Sequence, residues 1–202
     1  KTKLTKLNGL NDFVWDRVKI EEEDYGEVSS YGIAFTPLFL SIGLWVGALM
    51  CYVVLYYDQR HRFGKLDYNA KNKILQNLMY IGIGLIDGVV TGLVLKFGLG
   101  FDVTNMGVYL LECAITGGVF MTIIQFLIRN FGDIGKFLAL IILVLQLAAA
   151  GGTFPVETID KGFRFLNPLL PMTYTIKVFK ECLISTSTNF IGKNTLVLIG
   201  FA

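Results

Sequence analysis

The chain has 202 residues, of which 53% are hydrophobic and only 17% charged, with a formal net charge of +2. Soluble domains carry about 25% charged residues, and here the charges cluster and leave long uncharged runs, so a membrane protein is expected rather than a water-dissolved globule. No Lys/Arg cluster with interleaved aromatics resembles a base-stacking surface, which argues against nucleic acid. The cysteines Cys51, Cys113 and Cys182 are odd in number and lack metal-ligand spacing.

Residues 1–30 read as the end of an external domain and a pre-membrane linker, with Leu4, Leu7, Leu10 and Val14 at helical spacing and an acidic run at Glu21–Asp24. The first expected span covers 36–57, "TPLFLSIGLWVGALMCYVVLYY", without a charge. Such a run meets the roughly 20 apolar residues a bilayer core demands. Pro37 falls near its start, where a missing N–H costs little. Gly43 and Gly47 form a small-residue notch on it.

The loop over 58–74 packs Arg60, Arg62, Lys65, Lys71 and Lys73 together, with Tyr68 among them. It reads either as topology-setting charge or as a docking surface for a cytoplasmic partner. His61 sits there without a nucleophile or acid to work with, so no catalysis is expected of it.

The second span, 75–95, is interrupted by Asp87 inside "GLIDGVVTG", where Gly84, Gly88 and Gly92 recur every four residues. That stripe allows another helix to approach closely. A carboxylate near mid-helix costs about 2.5–3.5 kcal/mol on the insertion scale, so Asp87 should face protein or water. The third span, 108–128, carries Glu112, and the fourth, 134–150, carries Gln146. Basic residues gather in 58–74 and at Arg129 and Lys136 of the turn over 129–136, whereas the loop between them has only Lys96. Positive-inside then makes those two segments cytoplasmic and puts the N-terminal segment and 151–194 outside. On this frame Asp87 lies about 12 Å, and Glu112 about 6 Å, below the outer end of its span. With Gln146, both belong to the outer half. They read either as a polar pathway or as polar glue between helices, with Asp87 carried uncharged.

The fourth span ends abruptly in "LQLAAAGGTFPVE", and the chain stays hydrophobic through "NPLLPMTY" without at once restarting a helix. Gly151 and Gly152 tolerate helix-ending angles, and Pro155 cannot continue the hydrogen-bond ladder. Non-helical backbone at membrane depth survives only when covered by protein or lining water. The segment 151–183 is therefore expected to be a packed, re-entrant cap on the outer side. Phe154, Phe163, Phe165, Leu169 and Leu170 would fill it, and Asn167, Pro168, Pro171 and Tyr174 belong to its motif. Thr175, Val178, Phe179, Cys182 and Leu183 share one helical face, which suits a helix lying in the interface. A last apolar stretch, 195–202, begins a further span and is cut short. The fold class is all-α, a polytopic transmembrane bundle with a re-entrant or interfacial outer segment, the membrane domain running over 31–202.

"SSYGIAFTPLFLSIGLWVGALM" and "LQLAAAGGTFPVETIDKGFRFLNPLLPMTYTIKVFKE" together resemble the C-terminal membrane domain of the YhgE/Pip (phage infection protein) family, which is related to the membrane domains of type-2 ABC exporters. The resemblance runs from about Val18 onward. It implies a multi-pass cell-membrane protein of a Gram-positive bacterium, in which a first span and a large external domain precede this piece. It also implies that the loop over 58–77 carries a coupling helix for an ATPase, and that the protein is a homodimer exporting an unknown amphipathic molecule. The alternative is a non-transporting scaffold or receptor that anchors the external domain, for phage adsorption or as a secretion-system component. A separate ATPase subunit or secretion-system proteins are the expected partners besides the lipid bilayer. No G-x-x-x-x-G-K-[ST] occurs, so no nucleotide or other cofactor is expected on this chain, and it does not read as an enzyme.

Overall fold

The computed structural model describes residues 31–62, 70–101, 103, 105–150, 165–184 and 191–201. Among them the chain forms six α-helices and one 3-10 turn, with no strand. The helices are α1 (Tyr31–Arg62), α2 (Ala70–Leu99), α3 (Met106–Phe131), α4 (Asp133–Ala149), α5 (Pro171–Ile184) and α6 (Ile191–Ile199). The 3-10 turn, Asn167–Leu169, precedes α5.

Three of these helices are long and apolar enough to cross a membrane, over Phe35–Leu55, Ile74–Leu99 and Met106–Phe131. The fourth expected span, α4, has 17 residues, about 26 Å of helix, somewhat less than the roughly 30 Å hydrocarbon core. The protein is thus an all-helical membrane protein. A stripe of large apolar side chains on α2 (Ile86, Val90, Val94, Phe97) and another on α4 (Phe137, Ile141, Val144) face outward. A patch of that size calls for lipid or protein against it.

Helix boundaries extend past the apolar runs. α1 begins at Tyr31, so Pro37 lies inside the helix rather than at its start. Pro37 withholds one ladder N–H, and the Ser41 hydroxyl donates back to the Pro37 carbonyl at 2.7 Å. α2 continues through Lys96, whose amine reaches the Met106 sulfur at 3.4 Å, and stops at Gly100, which has φ +64°. Asn105 caps α3, its Oδ1 accepting from the N–H groups of Gly107 and Val108 at 3.1 and 3.3 Å. The α3–α4 hairpin turns on Gly132 alone. Its φ of +59° is the left-handed region that a Cβ disfavours.

The core sits around α1 and α3. Trp45 joins three helices: its ring meets Phe120 edge-on at 5.0 Å, and its indole N–H donates to the Ala139 carbonyl at 3.2 Å. The most extensive seam is α2 against α3. A Cβ at Gly84 would lie 2.7 Å from the Gly117 carbonyl oxygen, and one at Gly92 would lie 2.8 Å from Cys113 Sγ. A Cβ at Gly88 would strike the Cys113 backbone. The stripe therefore meets a second set of small residues on α3, which sequence reading did not single out. Gly135 likewise brings α4 onto the Leu127 backbone.

α5 buries the expected face, with Lys177, Lys180 and Glu181 lying off it, and its burial extends beyond that one face. Pro171, Met172, Thr173, Thr175, Ile176, Val178, Phe179 and Cys182 are all buried, and among its described side chains only Lys177 is exposed. The reason is the length of α4. Counting equally from the Gly135–Leu127 contact brings Ala149 level with Cys113, so α4 stops about 10 Å short of the Met106 end of α3. α5 packs into the room so left, against α1 and α3, and α6 packs on α5 and α3.

Candidate functional site

The bundle has two ends, one at Phe101 and one at Gly132. Among the described residues its buried polar side chains are Thr36, Ser41, Glu112, Thr116, Gln125, Gln146, Asn167, Thr173, Thr175 and Thr195. All except Gln125 belong to the half nearer Phe101. Several are tied across helices. Asn167 Nδ2 donates to the Ala149 carbonyl at 2.6 Å and closes the end of α4. Thr173 Oγ1 donates to the Asn167 carbonyl at 2.7 Å, and the Tyr174 hydroxyl donates to the Pro168 carbonyl at 3.0 Å. Thr175 Oγ1 lies 3.0 Å from Ser41 Oγ, linking α5 to α1. Thr195 Oγ1 lies 2.9 Å from Glu112 Oε1, linking α6 to α3.

Other atoms of this layer have no such tie. Glu112 Oε2, Thr116 Oγ1 and both amide atoms of Gln146 are buried without a hydrogen-bond partner among the described residues. Glu112 and Thr116 are one helical turn apart on the same side of α3. Counting back from Leu127 and forward from Gly135 by the same number of residues reaches Thr116 and Gln146, so those two stand at one height. On α4, Gln146 shares its buried face with Gly135, Ala139 and Ala149. Each unpaired buried polar group costs about 1–3 kcal/mol, so four unpartnered atoms on three side chains of one region are a feature that stability alone does not explain.

Of the three residues singled out for a pathway, the structure puts Glu112 and Gln146 in this layer and gives Asp87 another setting. Asp87 lies on the α1–α2 seam, opposite Gly47. A Cβ at Gly47 would come 2.7 Å from Asp87 Oδ2. One turn on, a Cβ at Gly43 would be 3.7 Å from Thr91 Cγ2. The α1 notch thus receives Asp87 and Thr91. No hydrogen bond among the described residues joins Asp87 to Glu112 or Gln146, and Asp87 Oδ2 is itself unpartnered. The depths also change. With α2 running to Leu99 and α3 starting at Met106, Asp87 lies about 18 Å and Glu112 about 9 Å from the Phe101 end.

At the other end, Asn77 Oδ1 accepts from Gln125 Nε2 at 2.8 Å and from Arg129 Nη1 at 2.6 Å, tying α2 to α3. This network went unseen in the sequence; Gln125 and Arg129 at helical spacing were its one signal. Arg60 and Arg62 lie on the last turn of α1, and Lys71 and Lys73 on the first turn of α2. Lys65 and Tyr68 lie outside the described residues, as do Gly151, Gly152, Phe154, Pro155, Phe163 and residues 1–30. On α5, outside the spanning helices, burial pushes the Lys180 amine below its ordinary value and the Glu181 carboxyl above its own.

No group of three or more His, Cys, Asp or Glu side chains is arranged to hold a metal among the described residues. Thr116, Thr195 and Ser41 were missed because a lone Thr or Ser in an apolar run looks like filler, and Thr175 was read as part of a buried helical face without its bond to Ser41. The four-residue spacing of Glu112 and Thr116 was the available signal.

The model of the EsaA helical domain family matches residues 33–202. "Uncharacterized protein YhgE" of Bacillus subtilis (strain 168) is 36% identical over 190 residues, covering 93% of this chain and 24% of that relative. The chain thus spans about a quarter of the curated relative it matches. No solved structure matches.

Proposed function

The chain belongs to the EsaA helical domain family and is YhgE-like, and on that footing we propose that it is the membrane domain of a cell-membrane permease of ABC-exporter type. In this reading it moves the polar part of an amphipathic molecule outward through the bundle. The observation that carries the reading is the layer formed by Glu112, Thr116 and Gln146, buried and only partly bonded inside a mainly apolar bundle. Polar side chains within a membrane bundle are costly and mark pathways for polar groups. An amphipathic cargo would present its head to this layer and leave its tail to lipid.

The basic end of the α1–α2 hairpin gives such a machine its orientation and its handle. Positive-inside puts the Gly132 end in the cytoplasm. Arg60, Arg62, Lys65, Lys71 and Lys73 would then meet a cytoplasmic partner, with a separate ATPase subunit the fitting one. The Asn77–Gln125–Arg129 network couples α2 to α3 beside this hairpin. A push on the hairpin would thus reach the helix that carries Glu112. In a homodimer two such layers would work side by side.

A second reading, a non-transporting scaffold for a large external domain, is favoured by one fact: this region is 24% of its relative. Purification of the full-length protein from its own membranes separates the two. A stoichiometric nucleotide-binding subunit, together with a cargo that accumulates in cells carrying Gln146→Leu, supports export. No such subunit, and full function after replacement of the spans by unrelated ones, supports the scaffold.

A further inference from the structure

The Thr195 hydroxyl has one proton and two oxygens to serve. It lies 2.8 Å from the Ile191 carbonyl, the usual back-bond within a helix, and 2.9 Å from Glu112 Oε1. A carbonyl and a carboxylate only accept. With Glu112 ionised, the single Thr195 proton must be shared between the two acceptors, so at least one of the two approaches falls short of a full hydrogen bond. With a proton on Glu112 Oε1 both are hydrogen bonds: the acid donates to Thr195, and Thr195 donates to Ile191.

Surroundings point the same way independently. Glu112 is 3% exposed, its Oε2 has no partner, and no ion pair among the described residues involves it. Tyr109 and Cys113 on α3, and Cys182 on α5 with Glu181 beyond it, are the titratable groups nearby. None of them is a cation. α6 brings Thr195, its Lys193 being exposed. α4 has no titratable side chain between Lys136 and Ala149, and α1 none between Phe35 and Met50. On α2, Asp87 faces α1, and the Lys96 amine lies against Met106. An ionised carboxylate in such a place is strongly disfavoured.

We propose that Glu112 is a proton-binding site and that its proton locks α6 to α3. When the acid gives its proton to water, the electron pair stays on the carboxylate and Thr195 can serve only one oxygen. The charge is then relieved by α6 moving aside to admit water. Cys182 on α5, beside α6, is uncovered by the same movement. The lock follows from the seating of α6 and stands whether or not the bundle exports a cargo.

Infrared spectroscopy of the full-length protein in lipid nanodiscs tests the site. At neutral pH the wild type should show the carbonyl band of a buried carboxylic acid that Glu112→Gln lacks. Thr195→Val should keep the band and shift it upward, because the acid has lost its acceptor. Identical acid bands in the wild type and Glu112→Gln would overturn the proton site; a band unmoved by Thr195→Val would overturn the lock. Alkylation of Cys182, read by peptide mass spectrometry, tests the movement. The amide of Glu112→Gln donates to Thr195 at every pH, so the wild-type rate divided by the Glu112→Gln rate removes the thiol chemistry the two share, while the Glu112 charge, which after burial holds the Cys182 thiol protonated, works against the expected rise. That ratio should be near one at neutral pH and rise about tenfold or more in alkali, as expected when a buried charge replaces a hydrogen bond. A flat ratio would contradict the release of α6.

Discussion

Replacement of Gly88 by alanine isolates the seam on which the bundle rests. The new Cβ would lie 2.8 Å from the Cys113 carbonyl carbon and 3.0 Å from Ala114 Cα. These are backbone atoms and cannot rotate away, so α2 and α3 must separate by on the order of 1 Å along their largest contact. Overpacking of this kind costs about 1–3 kcal/mol. Gly82 on the same helix provides the control, because a Cβ there meets nothing within 4 Å. Gly82→Ala should gain about 0.5–1 kcal/mol from helix propensity. Gly88→Ala gains the same propensity term, so the two variants should differ by the overpacking cost alone, about 1–3 kcal/mol. Reversible unfolding of the full-length protein in mixed micelles, followed by helical circular dichroism, measures the gap. Equal stability of Gly88→Ala and Gly82→Ala would refute the close packing of the glycine stripe on α3.

Gly47→Ala should destabilise by pressing on Asp87, and Asp87→Ala should remove most of that penalty; the same unfolding assay should give a coupling of about 0.5–3 kcal/mol in a double-mutant cycle. Trp45→Phe keeps a ring against Phe120 and loses the bond to Ala139, so it should cost about 0.5–1.5 kcal/mol. Gln146→Leu removes two unpartnered amide atoms and should raise stability by about 1–3 kcal/mol while it abolishes complementation of a deletion strain; a variant both less stable and fully active would contradict the role given to this layer.

What could be read in the sequence follows from the physics of each feature. Lipid demands long uncharged helices, so α1, α2 and α3 were legible from composition and run length. Their ends were not, because caps such as Asn105 and Gly100 lie beyond the apolar residues from which the spans were drawn. The stripe Gly84, Gly88, Gly92 announced a close helix contact, but its partner surface at Cys113 and Gly117 is a tertiary fact. Asp87 and Glu112 looked alike in the sequence, each a carboxylate in an apolar run. Helix rotation separates them: Asp87 turns to the Gly47 notch of α1, Glu112 to Thr195 of α6. The buried face of α5 was legible because its apolar and polar positions alternate at helical spacing. The further burial of Met172, Thr173 and Ile176 depends on the early end of α4, which only the folded hairpin reveals.

The most direct test of a lipid-facing bundle around a covered polar layer is carbene labelling from within the bilayer, mapped residue by residue on the full-length protein. Ile86, Val90, Val94 and Phe97 on α2, with Phe137, Ile141 and Val144 on α4, should carry the label, and Glu112, Thr116, Phe120 and Gln146 should carry none. Heavy labelling of the Glu112–Phe120 face of α3, or an unlabelled α2 stripe, would contradict the account.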